Sequence, residues 1–239
     1  MSMKKGRKQI ICMGGGGFLM EPHNPLLDQY ILGQSPKKKP KICFVGTASG
    51  DPSYNSQKFL RLFGNFKCEP SYLSLFKPPK GNLESFVLEK DIIYVGGGNT
   101  RNLLLLWKAW GLDKIMKKAL DGGVVLSGVS AGSICWFEEG VTDSYPGKLA
   151  PLKCLGFLTG SNCPHYDGEK DRRPSYHKLL REKKIKSGYA ADDGVAIHFI
   201  DGSIAKIVSS RPLGRAYQVG WQGGKVVEKP IVPVYLGKA

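Results

Sequence analysis

Short apolar runs that end in glycine alternate, through the first half of the chain, with stretches whose apolar residues recur at helical spacing. Gln9–Met13 reads as a buried strand, and Gly14–Gly17 reads as the turn that closes it or as a close approach to a ligand. Asn24 to Leu32 places Leu26, Leu27, Tyr30 and Ile31 on one helical face. Lys41–Val45 is a second strand, after the Lys37-Lys38-Lys39-Pro40 linker. Tyr54 to Phe63 is a helix carrying Phe59, Leu60, Leu62 and Phe63. Ser71–Phe76 and Asp91–Val95 follow as strands, Leu103 to Leu120 as a helix, and Val124–Ser127 as a fifth strand. Ser133–Phe137 reads as the start of a further helix.

Strands alternating with helices predict right-handed crossovers and a mostly parallel sheet. Ligands of such sheets gather at the carboxyl ends of the strands, which is where the glycine clusters stand. After about residue 185 the pattern changes. Val195–Ile200, Ile204–Val208, Ala216–Trp221 and Ile231–Tyr235 are short runs separated by Asp201-Gly202 and Gly223-Gly224. Asp-Gly is a hairpin signal. These runs predict an antiparallel extension of one domain that spans residues 1–239.

Composition narrows the class. The 239 residues are 41% hydrophobic and 23% charged, enough to bury a core, which excludes a disordered chain and a collagen-like fibre. No run approaches the roughly 18 apolar residues that cross a bilayer, so no membrane partner is expected. The start, through Lys8, reads as a frayed basic tail, because the apolar stretch behind it is too short for a signal peptide. Six cysteines (Cys12, Cys43, Cys68, Cys135, Cys154 and Cys163) form no Cys-x-x-Cys pair. That pattern points to a reducing cytoplasm, no disulfide framework and no structural metal or cofactor. The net charge of +15 favours anionic partners.

The strongest chemical signal is Gly128-Val129-Ser130-Ala131-Gly132, between a strand-like and a helix-like run. That is the setting of a nucleophile elbow, with Ser130 on a strained turn and free N–H groups at the following helix start. Gly96-Gly97-Gly98-Asn99-Thr100 offers open backbone N–H groups after a strand, for phosphate or for half of an oxyanion hole. It is not a dinucleotide fingerprint, and no Gly-Lys-Ser/Thr follows. A serine nucleophile needs a base. Of the four histidines, His198 alternates within a strand, His177 lies in a Lys/Arg-rich helix and reads as exposed, and His23 sits in a proline-flanked loop. His165 stands in the irregular segment Asn162–Gly168 and is the candidate. The carboxylate that orients it could be Asp192, Asp193, Asp143 or Asp167.

Taken in order, Gly96–Thr100, Gly128–Gly132 and Pro164-His165 resemble the dipeptidase E family of serine peptidases, whose relatives include cyanophycinase. The resemblance runs from Gly14–Gly17 to Asp193-Gly194. It implies a three-layer α/β/α fold related to class I glutamine amidotransferases. It implies Ser130 as nucleophile, His165 as base, and the N–H groups of Gly98 and Ala131 as oxyanion donors. Asp193-Gly194 falls where the family has Glu-Gly, so Asp193 becomes the third triad member, with Asp192 as the alternative. Asp143 falls near a family aspartate and takes a substrate-binding or supporting role, and Asn99, next to Gly98, is a further substrate-binding candidate. The family links a preference for dipeptides with an N-terminal aspartate to an arginine beyond the histidine. Direct counting places none there, and a shift of one or two residues brings in Arg172 or Arg173; the other reading of these two is a solvated basic face.

The resemblance thus implies a serine hydrolase acting on short peptides, with acidic ones as the narrower candidate; a homodimer is a candidate assembly. Two other readings compete. A family member repurposed to bind nucleic acid or another polyanion would explain the charge, although no nucleic-acid module is recognisable. A serine esterase or acyltransferase would share the nucleophile. A glutamine amidotransferase fits less well, because the elbow carries serine.

Overall fold

The computed structural model describes residues 7–77 and 81–237. Its centre is an eight-stranded sheet that begins with the five apolar runs of the first half. These are β1 (Gln9–Met13), β2 (Lys41–Val45), β3 (Glu69–Leu73), β4 (Ile92–Val95) and β5 (Val125–Val129). They are parallel and lie side by side as β1-β5-β4-β2-β3. The chain then leaves this sheet for β6 (Phe137–Tyr145), β7 (Lys148–Lys153), β8 (Leu158–Cys163) and β9 (Gly188–Ala191). It returns as β10 (Val195–Ile200) and β11 (Ser203–Ser209). β12 (Ala216–Gln222) and β13 (Lys225–Ile231) join β6–β9, and β14 (Val234–Tyr235) closes the first sheet beside β11.

Because successive strand residues point to opposite faces, one strand feeds two cores. Ile11 and Met13 of β1 face the helices α1 (Gly17–Met20), α2 (Leu26–Leu32) and α3 (Ser53–Phe63), which contribute Phe18, Leu27, Ile31, Phe59 and Phe63. Ile10 and Cys12 face the other way. There they meet α4 (Leu83–Leu88), α5 (Thr100–Trp110) and α6 (Leu112–Asp121) through Val87, Leu103, Trp107 and Met116. This is the expected layering of helices on both faces of a mostly parallel sheet. The second core continues without a break into the six-stranded sheet through Phe137, Leu158, Ala191 and Ala216. α7 (Ala131–Ile134) sits where the two sheets meet, and α8 (Arg172–Arg181) covers the second sheet with Tyr176, Leu179 and Leu180.

Several expectations change. The helix expected over Leu103 to Leu120 is two, because Gly111 adopts φ 67° between Trp110 and Leu112; glycine enters the left-handed region without a Cβ clash. The third strand begins at Glu69 and ends at Leu73 rather than spanning Ser71–Phe76. The C-terminal runs do not form one antiparallel extension. β10 and β11 pair antiparallel within the first sheet, β12 and β13 belong to the second, and β14 is parallel to β11. The expected tail falls for residues 1–6 outside the described residues. Lys8 itself is fastened, its ammonium 2.7 Å from Asp121 and its N–H donating to Asp201. Among the described residues no helix is long and apolar enough to cross a membrane.

Candidate active site

β5 delivers Ser130 to the carboxyl edge of the sheet, and the backbone there is strained. Ser130 has φ 55° and ψ −116°, a conformation that costs a non-glycine residue roughly 1–3 kcal/mol. The two glycines of the motif are required by close approach. A Cβ at Gly128 would strike the Gly132 carbonyl, and one at Gly132 would strike the Val95 carbonyl. The following helix, α7, has only four residues, so its open N–H groups, rather than a sizeable macrodipole, make this end electropositive.

The Gly96–Gly98 loop lies against the same residue. A Cβ on Gly97 would come within 3.2 Å of Ser130 Cβ. Gly98 has φ 133°, and the Ala48 carbonyl occupies the place its Cβ would need. Ala48 is therefore the backstop that sets the peptide before Gly98, and its carbonyl also accepts the Asn99 N–H at 2.7 Å. Neither the Gly98 nor the Ala131 N–H donates to an acceptor among the described residues.

The end of β1 ties the candidates together. Three consecutive carbonyls act in turn: Met13 O accepts the Ser130 N–H at 3.2 Å, Gly14 O accepts the His165 N–H at 3.2 Å, and Gly15 O accepts the Gly194 N–H at 3.2 Å. Gly14–Gly17 is thus more than a tight turn. Its missing side chains leave room for what gathers there: a Cβ on Gly14 would strike the Ala191 and Asp192 carbonyls, and one on Gly15 would strike the Asp193 carboxylate.

His165, also at positive φ (53°), places Nδ1 2.7 Å from Asp193 Oδ1. Both side chains are nearly buried. Burial alone would raise the Asp193 carboxyl. The His165 hydrogen bond, then the charges of His165, Arg211 and Arg172, outweigh it and hold the group below its ordinary value. Asp167 accepts the Asp193 N–H at 2.8 Å and so fixes the backbone behind it. Asp192 points elsewhere. Its Oδ2 accepts the Arg215 N–H at 2.9 Å, its Oδ1 has no partner among the described residues, and burial pushes it up to about 6. The His165 ring is bonded to Asp193 and makes no hydrogen bond to Ser130 Oγ among the described residues; nucleophile–base contacts often tighten only with substrate.

The other candidates sit one layer out. Asn99 caps α5 through the Asn102 N–H at 2.8 Å and donates to the Ser144 carbonyl at 3.3 Å. Arg172 is 2% exposed, unlike a residue of a solvated basic face. Its guanidinium bonds Glu169 at 2.6 Å and the Val141 carbonyl at 2.9 Å, and it stands 3.7 Å from exposed Asp143. Arg173 is half exposed, pairs with Glu228 and stacks over Tyr166 and Tyr217. His177 is not freely exposed, since it shares Glu228 with Tyr166. His198 is buried against the Tyr30 hydroxyl, and burial, with Lys206 nearby, lowers it to about 4. His23 is on an exposed loop. Among the described residues no group of His, Cys, Asp and Glu could hold a metal ion, and all six cysteines are free.

Known proteins share this arrangement of chain. Residues 10–207 match the model of peptidase family S51. The chain is 60% identical over 230 residues to the uncharacterized peptidase YgaJ of Bacillus subtilis (strain 168), covering 96% of this chain and 100% of that protein. It is 27% identical over 125 residues to Peptidase E of Streptomyces coelicolor, covering 52% of this chain and 51% of that one. Among solved structures, a peptidase from an acI-B1 Actinobacterium superposes with a TM-score of 0.64 at 16% identity, covering 96% of this chain and 95% of that one. At that identity the likeness speaks for the fold.

Proposed function

The chain belongs to peptidase family S51, and from that premise we propose that it is a serine-type peptidase hydrolysing short peptides through Ser130, His165 and Asp193. The observation that carries this reading is the run of three carbonyls from Met13, the last residue of β1, to Gly15, which holds the backbones of Ser130, of His165 and of the residue after Asp193 on one edge. With Nδ1 turned to Asp193, His165 keeps Nε2 for the serine. Nε2 accepts the Ser130 proton as Oγ attacks the amide carbonyl carbon. The Gly98 and Ala131 N–H groups receive the oxyanion; one such donor is worth about 3–4 kcal/mol. The imidazolium then protonates the leaving amine, and water, deprotonated by the same imidazole, releases the acid from the acyl-enzyme. Asp193 stays ionised throughout and stabilises the imidazolium.

A preference for dipeptides with an N-terminal aspartate is the finer reading. It needs a cation free to meet a carboxylate. Arg172 is committed to Glu169 and the Val141 carbonyl, and Arg173 to Glu228, so such a substrate has to draw one of these arginines out of its pair. A panel of Asp-X, Glu-X and Ala-X dipeptides, with matching esters, tests both this preference and the peptidase against the esterase.

The nucleophile is tested by a fluorophosphonate probe and intact-mass measurement. One adduct on the wild type and none on a folded Ser130→Ala variant is the expected result. Absence of any adduct on folded wild type would sink the serine-hydrolase reading. The net charge of +15 would then favour a polyanion-binding role, read as salt-dependent association with nucleic acid.

A further inference from the structure

Against Gly194, the next residue after Asp193, lies a clasp that no step above uses. Glu21 follows α1, while Ser210 and Arg211 follow β11. Arg211 Nε donates to Glu21 Oε1 at 2.6 Å, and Ser210 Oγ donates to Glu21 Oε2 at 2.8 Å. Asn24 Nδ2 adds a bond to the Ser210 carbonyl at 3.1 Å. Held between these partners is Gly194, the residue after Asp193. Its N–H donates to Gly15 O at 3.2 Å, and its carbonyl accepts from the Ser210 N–H at 2.8 Å; the Ser209 and Ser210 hydroxyl oxygens stand 3.2 Å from that carbonyl, with nearer acceptors in the Arg211 carbonyl and the Glu21 carboxylate. Arg211 Cγ and Cδ lie 2.8 and 2.9 Å from where a Gly194 Cβ would stand. Glu21 Oε2 lies 3.2 Å from the corresponding point on Gly16. The stem of Arg211 therefore packs on the backbone that carries Asp193, and its charge acts on both Glu21 and that carboxylate.

We propose that the Glu21–Arg211 ion pair is a positioning device for the triad, holding the Asp193-Gly194 turn against Gly15 and setting the electrostatic potential at the His165–Asp193 pair. This rests on the triad assignment above. The charges facing that pair come from several elements: Asp167 from the loop before α8, Asp192 from the end of β9, Arg172 from α8, Arg211 from the end of β11, and Glu21 from the end of α1. Arg211 and Arg172 are among the charges that keep Asp193 ionised. Glu21 partly cancels the first of these. The two members of the clasp therefore act with opposite sign. Without Arg211, the uncancelled Glu21 raises the Asp193 carboxyl. Without the Glu21 charge, the uncancelled Arg211 lowers it further.

The test is the pH dependence of fluorophosphonate labelling in Arg211→Gln, Glu21→Gln, the double variant and Arg211→Lys. Arg211→Gln should move the acid limb of the labelling rate up in pH, and Glu21→Gln should move it down. The double variant should return the limb close to wild type, and Arg211→Lys should leave it in place. A role confined to packing predicts slower labelling with no displacement, or displacement of one sign in both single variants; either outcome overturns the proposal. The Asp193 carboxyl carbon, assigned with Asp193→Asn in protein labelled with ¹³C-aspartate, should titrate with the same two signs. That readout needs no reaction, so it judges the clasp even if wild type takes no adduct and the nucleophile assignment fails. Should Arg211→Gln not fold, Glu21→Gln and Arg211→Lys still carry the comparison.

Discussion

A methyl group at Gly15 would run into the Asp193 carboxylate and come within 3.1 Å of His165 Nδ1. Gly15→Ala should therefore separate the effects of shape and chemistry. Overpacking at such a site costs roughly 1–3 kcal/mol of stability. Displacing the imidazole by even part of an ångström should slow Ser130 labelling on the order of a hundredfold. Gly202→Ala is the control. It sits at φ 82° with nothing within 4 Å of its Cβ, so it should cost about 1 kcal/mol and leave labelling unchanged. Equal losses of labelling in the two variants would show that Gly15 acts only through stability. Ser130 and His165, two of the five non-glycine residues with positive φ among those described, show the same economy. At these two positions strained backbone aims a side chain of the site.

At the level of elements, α2 carries a buried acid that the site does not use. Asp28 is 2% exposed, and burial pushes its carboxyl up to about 7, against the Phe18 N–H and Tyr94 hydroxyl that favour the anion. A folded-state value above the unfolded one gives stability that is full below about pH 4 and lost as pH rises to about 7. Asp28→Asn should flatten that window, by up to a few kcal/mol between its ends, in urea midpoints measured from pH 4 to 8. An unchanged slope would remove Asp28 from the account. Sequence patterning finds most readily the strands buried on both sides, such as β1 and β4, whose residues are almost all apolar. It misses β6–β9, because β7 is exposed or half-buried throughout and β9 is a Gly-Tyr-Ala-Ala run with little side chain to show a period. The elbow is legible because its chemistry is local. The choice of Asp193 over Asp192 is not, because it depends on which carboxylate lies opposite Gly15, a contact made across the sheet. Gly14–Gly17 was visible as a glycine run, but its carbonyl pattern has no signature in residue type.

For the whole molecule, one apolar core runs from α5 and α6 through the first sheet to Phe137, Leu158 and Ala216 of the second. The two sheets should therefore unfold together. Far-UV circular dichroism and tryptophan fluorescence should give coincident urea transitions, and a second sheet that melts separately would contradict the shared core. The same connectivity governs when the site comes into being. β1 is flanked by β5 and β10, both made much later in synthesis, and the carbonyls from Met13 to Gly15 wait for partners as distant as Gly194. A nascent chain that already holds Ser130 still lacks the third contact of the frame. Peptide-cleaving competence is thus expected only once synthesis has passed β10, so chains truncated before it are expected to be inert, while the β1 edge that β10 would cover leaves them prone to stick to one another.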